Sequence, residues 1–125
     1  MKEEIHIILE RAKDFLKDAE VLYEEERYDA VPNRAYYCLF TAVRALLFSQ
    51  NTFAKTHSGA HAKFRELFIK TGKLPPLLSQ VLTELFDLRQ QVDYDFEVDI
   101  AKEVAKEIIE NADHFLEETI RFLSE

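Results

Sequence analysis

The sequence predicts an all-α protein, an up-and-down bundle of four long helices plus one shorter helix. Three observations carry that expectation. Apolar residues recur at three- and four-residue steps along most of the chain, only two glycines and three prolines interrupt it, and no stretch shows the strict alternation of a strand. At 125 residues, 47% hydrophobic and 32% charged, residues 1–125 match one domain able to bury a core without disulfides or metals.

The first helix is expected from about residue 2 to 26, with Ile5, Ile8, Leu9, Ala12, Phe15, Leu16, Ala19, Leu22 and Tyr23 as its buried stripe. The second covers roughly 30 to 49, capped by Asp29 and carrying Pro32 in its first turn, where a missing N–H loses no helical bond. Its sequence AVPNRAYYCLFTAVRALLFS is apolar nearly all round, and Ala35, Cys38, Ala42, Ala45 and Ser49 form a strip of small side chains. These features mark it as the central helix, packed on several neighbours.

A shorter helix from about 57 to 70 places His61, Phe64, Leu67 and Phe68 on one face and stops at Thr71-Gly72, with Gly72 as a left-handed cap. Pro75 and Pro76 open a fourth helix, whose apolar positions Leu78, Val81, Leu82, Leu85, Phe86 and Leu88 lead to about residue 91. The last helix is expected to start near a capping Asp99 and to bury Val104, Ile108, Ala112, Phe115, Leu116, Thr119 and Leu123.

Charge and patterning exclude several classes of function. A net charge of −8 repels phosphate over the molecule as a whole, which excludes a broad nucleic-acid-coating face but leaves room for a local basic site. The N-terminal MKEEIHIILERAK lacks the apolar centre of a signal peptide, and no run approaches the roughly 18 apolar residues of a membrane span. A cytoplasmic protein with no membrane partner is expected. Cys38, the single cysteine, lies in an apolar run and reads as a buried small hydrophobe.

His57 and His61 are one helical turn apart, the spacing of a metal-ligand pair. HSGAH lacks the glutamate of a zincin, no third ligand is evident, and Glu3 to His6 is the only Glu-x-x-His spacing, so no metal is expected. Ser49, Ser58, Ser79 and Ser124 sit in no nucleophile elbow, and Gly59 and Gly72 alone cannot build a phosphate loop; no cofactor is expected. The arginines are more informative. Arg34 interrupts the central helix, and Arg89 stands on the flank of an apolar stripe, four residues after Leu85 and three after Phe86. An arginine cannot discharge, so when partly buried it needs a carboxylate, carbonyls or an anionic ligand. Asp93, one turn beyond Arg89, is the nearest partner, which leaves RQQVDYD either a structural clamp or half of a polar site.

Three segments in order, NRAYYCLFTAVRALL, KTHSGAHAKF and LRQQVDYD, resemble the HEPN domain, the higher eukaryote and prokaryote nucleotide-binding family. The resemblance spans nearly the whole chain. It implies a homodimeric bundle of four to five helices, often encoded beside a minimal nucleotidyltransferase as toxin and antitoxin, with many members acting as metal-independent RNases. Those RNases use an arginine, four to six residues and a histidine, and the dimer brings two copies into one cleft. Counted from Arg89, the histidine positions hold Tyr94, Asp95 and Phe96 instead. Some toxins of the family also carry a tyrosine, two residues after the histidine, to which the partner attaches AMP; that place is Phe96 here if Tyr94 takes the histidine position.

The leading expectation is therefore a homodimer that binds nucleotide or RNA phosphate without the usual histidine, through Arg89, Tyr94, Arg34, Tyr37 and His57, beside a nucleotidyltransferase partner. An active RNase with Arg89 and Tyr94, Asp93 or Asp95 in the missing role is the second expectation. A purely structural dimer, in which an Arg-to-Asp clamp ties the fourth helix to the fifth, is the third. Phe40, Phe48 and Phe53 are apolar residues available to a dimer interface.

Overall fold

A computed structural model describes residues 1–125 as five α-helices with no strand. Helix α1, Glu3–Glu24, buries Ile5, Leu9, Ala12, Leu16 and Ala19, the alternating four- and three-residue steps that the sequence pattern requires. Glu3 and Glu4 lie in its first turn, where negative charge suits the helix dipole. The helix stops at Glu26, which takes a left-handed φ of 62°, and the Arg27 N–H returns to the Leu22 carbonyl at 2.8 Å.

A short 3₁₀ turn, Tyr28–Ala30, leads into α2, Val31–Ser49. This is the central helix. It packs against α1, α3, α4 and α5, and twelve of its side chains are buried, among them Ala35, Cys38, Ala42 and Ala45 of the small-residue strip. Pro32 occupies the first turn as expected, but Asp29 does not cap the helix. Its carboxylate instead accepts the Ile100 N–H at 2.7 Å, a contact across 71 residues that ties this turn to the segment leading into the last helix.

Helix α2 ends at Asn51, which also takes a left-handed φ of 56°. Helix α3, His57–Phe64, starts on Thr56, whose hydroxyl accepts the Gly59 N–H at 3.0 Å. A Cβ at position 59 would lie 2.9 Å from that hydroxyl, so glycine there lets the cap close. The helix continues as one π-helical stretch, Arg65–Ile69, with the Lys70 N–H reaching back five residues to the Arg65 carbonyl at 2.8 Å. Gly72 then adopts the expected left-handed conformation, φ +76°.

Helix α4, Pro76–Tyr94, begins at the proline pair and runs three residues past the expected end. Arg89 and Asp93 thus share an unbroken helix. Helix α5, Lys102–Leu123, starts after Ala101 with no side-chain cap, so Asp99 does not play the expected role. Its buried stripe is Ala105, Ile108, Ala112, Phe115, Leu116 and Thr119; Val104, assigned to the stripe from its spacing, is exposed at the first turn, where Ala105 points inward instead. The buried apolar residues of all five helices form one continuous cluster.

Replacing Asp29 by alanine strands the buried Ile100 amide. The expected result is a stability loss of about 1 kcal/mol by urea titration, with faster hydrogen exchange at Ile100. Unchanged exchange there would mean that water replaces the carboxylate at no cost.

Candidate functional site

The polar feature of the bundle is assembled where α2, α3 and α4 meet. Tyr36 has no exposed surface, yet its hydroxyl lies 2.7 Å from Nδ1 of His57 and 3.0 Å from Nε2 of His61. A phenol has one proton, so it can donate to only one of these nitrogens. The other ring must donate its own N–H to the phenol oxygen. Spacing explains why both histidines reach: positions 57 and 61 are one turn apart on α3, on the side that faces α2.

Aromatic rings close around this hydrogen-bonded group. Phe40 stacks on His57 at 4.1 Å between centroids, and Phe86 of α4 lies edge-on to His61 at 5.0 Å and 5.3 Å from Tyr36. The Arg89 guanidinium then lies over three rings, 5.1 Å from Tyr36, 5.5 Å from Phe86 and 5.7 Å from Tyr37. Only 14% of the Arg89 side chain is exposed, and its buried Nε has no hydrogen-bond partner. Its one ionic contact is Nη1 to Asp93 Oδ2 at 3.4 Å, long for a charge-assisted bond, and Asp93 is 35% exposed. That pair lies within α4, so it is not the clamp between the fourth and fifth helices that the structural expectation required.

Burial and the arginine set the charge states. Burial outweighs the attraction of Arg89 and pushes the Tyr36 phenol well above the ordinary tyrosine range. His57 is lowered, first by burial and then by the Arg89 charge. His61 falls to about 4, chiefly through burial, with Arg65 and His57 adding to the effect and Asp87 opposing it. Both rings are therefore neutral near pH 7, as a hydrogen-bonded group beside a fixed cation requires. Cys38 is pushed up to about 12 by burial and by Asp113, which leaves it an unreactive thiol.

The expected site residues divide into two groups. Arg89, Tyr37 and His57 come together around Tyr36. Arg34 is exposed, lies 6.0 Å over the Phe15 ring and makes no ion pair, so it is not the partly buried charge that its apolar neighbours suggested. Tyr94 is 81% exposed near the end of α4 and Phe96 is 98% exposed just beyond it. Asp95 accepts the Glu97 N–H at 2.9 Å in the turn that leaves the helix. Sequence reasoning missed Tyr36, His61, Phe40 and Phe86 as members of the site; the histidine pair one turn apart was the available signal, and its common partner is a phenol. No group of three His, Cys, Asp or Glu side chains is placed to hold a metal ion.

An apolar groove between α4 and α5, with Val81, Leu85, Leu88, Val104 and Ile108 on its walls, also opens to the surface. Glu84 and Glu107 line it, so it does not suit a phosphate. No helix is long and apolar enough to cross a membrane.

An all-helical bundle with a desolvated arginine near the end of its fourth helix defines the class of protein. Comparison with known sequences identifies it: the HEPN domain family model matches residues 5–123, and the chain belongs to that family. A Methanocaldococcus jannaschii protein named as a candidate toxin is 36% identical over 122 residues, covering 98% of this chain and 83% of its own length. A second candidate toxin from that organism is 30% identical over 125 residues, with 100% and 92% covered. A UPF0332 protein of Thermotoga maritima is 37% identical over 107 residues, with 86% and 81% covered.

The lowered His61 predicts how stability follows pH. The folded state holds this ring neutral down to about pH 4, whereas the unfolded chain protonates it near 6.5. The unfolded state therefore binds the extra proton first, and stability present above 6.5 is lost as pH falls towards 4. Urea titrations at pH 7 and pH 5 should differ by about 2 kcal/mol from this ring alone. His61→Asn should shrink that difference; an equal loss in the variant would place its origin elsewhere.

Proposed function

We propose that this protein is a homodimer that binds nucleotide or RNA phosphate at Arg89 and works with a minimal nucleotidyltransferase as a toxin and antitoxin pair in the cytoplasm. The observation that carries the binding reading is the state of Arg89: a permanent charge, mostly desolvated, with an unpartnered Nε and one weak carboxylate contact. The terminal Nη donors of a guanidinium in that state fit a planar pair of anionic oxygens, a geometry that phosphate supplies, while the buried Nε marks how poorly the charge is matched within the bundle. Tyr36, Tyr37 and Phe86 hold the group flat from beneath.

Binding of this kind does not depend on a histidine at Tyr94, Asp95 or Phe96. Membership of the HEPN family and the candidate-toxin names of two relatives support the paired-system reading. The exposed Tyr94 and Phe96 at the end of α4 supply apolar surface for a second copy close to Arg89. With a net charge of −8, the molecule has no broad basic field, so few phosphates should be engaged and affinity should fall only gently with salt.

Titration of a fluorescently labelled single-stranded RNA by anisotropy tests the reading. Arg89→Ala should weaken binding at least about tenfold, the loss of one charge-assisted anchor, with the circular dichroism of the bundle unchanged. Arg89→Lys should restore the charge but not the fork, and so recover only part of the affinity. Equal binding by wild type and Arg89→Ala would locate any RNA site elsewhere.

A further inference from the structure

Helices α4 and α5 both pack against α2 but scarcely against each other, and the seam between them is an apolar groove. Phe86 and Arg89 of α4 turn to the rings of α2 and α3, whereas Val81, Leu85 and Leu88 form one wall of this seam. They recur at four- and three-residue steps, and Val104 and Ile108 answer them from α5, so the groove runs along both helices for about two turns, roughly 10 Å. Leu77, one turn before Val81, continues the α4 row as exposed apolar surface, and Val104 is exposed as well. Apolar rows with this spacing are the complement of a third helix laid along the seam. The volume, about 180 Å3, is well below the roughly 300–1,000 Å3 of a small-molecule site, so it suits a few side chains of a larger partner.

Charge selects the occupant. The polar residues of the groove are Glu84, Glu107 and Asn111, with no cation among them. Neither carboxylate makes an ion pair. Glu84 accepts only the Gln80 side-chain N–H at 3.1 Å, and Lys106, beside Glu107 in sequence, lines a separate recess with residues of α1. Each helix thus offers one unpaired carboxylate beside an apolar floor. We propose that the α4–α5 groove receives a helix of a partner protein whose apolar stripe is flanked on both sides by Lys or Arg. A second copy of this chain does not suit it: two such grooves face to face bring four carboxylates together, in a molecule whose net charge is already −8. RNA meets the same repulsion.

The two parts of the groove have different tasks. Covering Val81, Leu88 and Val104 supplies the attraction, since these are the walls still open to water. The flanking carboxylates supply selectivity and register, because charges at the margin of an interface choose the partner more than they hold it. Added salt should therefore weaken binding without abolishing it. The inference stands apart from the phosphate reading, for Arg89 is not part of the groove.

The experiment uses the full chain and three labelled synthetic peptides of about 18 residues, long enough to be helical in water. One carries leucines along a single face with lysines on both flanks, the second has glutamate in place of each lysine, and the third scrambles the first. Fluorescence anisotropy should show binding of the lysine-flanked helix alone. The doubly substituted Glu84→Lys, Glu107→Lys protein, whose changes are both at exposed positions, should bind that peptide about tenfold more weakly. It should instead take up the glutamate-flanked one. That exchange of preference is a result that unfolding does not produce, and circular dichroism should match wild type. Failure of the lysine-flanked peptide to bind, equal binding of the scrambled peptide, or an unchanged preference in the charge-reversed protein overturns the proposal. Light scattering covers the remaining occupant: a wild-type oligomer that dissociates in the charge-reversed protein makes the groove a contact between copies, and the proposal falls.

Discussion

The hydroxyl of Tyr36 is the constraint to which the meeting of α2, α3 and α4 is built. A buried phenol must find hydrogen-bond partners or lose stability, and its partners here are two rings on a different helix. Satisfying it fixes the rotation of α3 about its own axis, because only the face bearing positions 57 and 61 can reach. The start of α3 is in turn fixed by the Thr56 cap and the missing Cβ of Gly59. With α3 so placed, Phe40 and Phe86 close on the histidines, and Arg89, one turn beyond Phe86 on α4, is left with the aromatic faces beneath it. A single buried polar atom thus sets the register among three helices, and the same atom orients the histidine nearest the arginine.

How much of this the sequence shows depends on the range of the interaction involved. Helical periodicity is local, so the five helices, the central place of α2, the left-handed Gly72 and the proline start of α4 are all legible from spacing. Caps are less legible where an acidic residue has a competing use. Asp29 has the right type and place to cap α2, but a backbone N–H 71 residues away holds its carboxylate. Asp99 stands where α5 could begin, yet the helix starts three residues later without any cap. Spacing alone ends α4 too early, because Asp93 and Tyr94 break the apolar pattern, although the backbone ladder continues past them.

The site divides along the same line. Arg89 is visible in sequence as a charge on an apolar flank, and its pairing with Asp93 follows from helical spacing alone. Tyr36 is not visible, since a tyrosine within AYYCLF reads as one more apolar body, and nothing local says that its hydroxyl meets two rings more than twenty residues on. His57 and His61 were paired correctly by spacing, but the property that matters is the third member, supplied by tertiary packing. Arg34 shows the opposite failure: apolar neighbours in sequence implied burial, while its own direction on the helix carries it to the surface above Phe15.

The acidity of the molecule bears on how an anion could enter such a site. Asp93 sits at 3.4 Å from Arg89, long for a charge-assisted bond, and its carboxylate is 35% exposed, so the contact is a weak one although the guanidinium itself is mostly buried. Under the proposed function, a phosphate that displaces Asp93 forfeits little and gains charge-assisted bonds at about 1.5–3 kcal/mol each. Asp93 then acts as a weak occupant that keeps the arginine ordered between binding events, and once displaced it has solvent to turn into. A buried carboxylate in the same place would hold the guanidinium too firmly, and no carboxylate at all would leave the charge unmatched beneath a shell of rings. Under that reading, the part-exposed partner is the arrangement that reconciles a stable bundle with an exchangeable anion site in a protein of net negative charge.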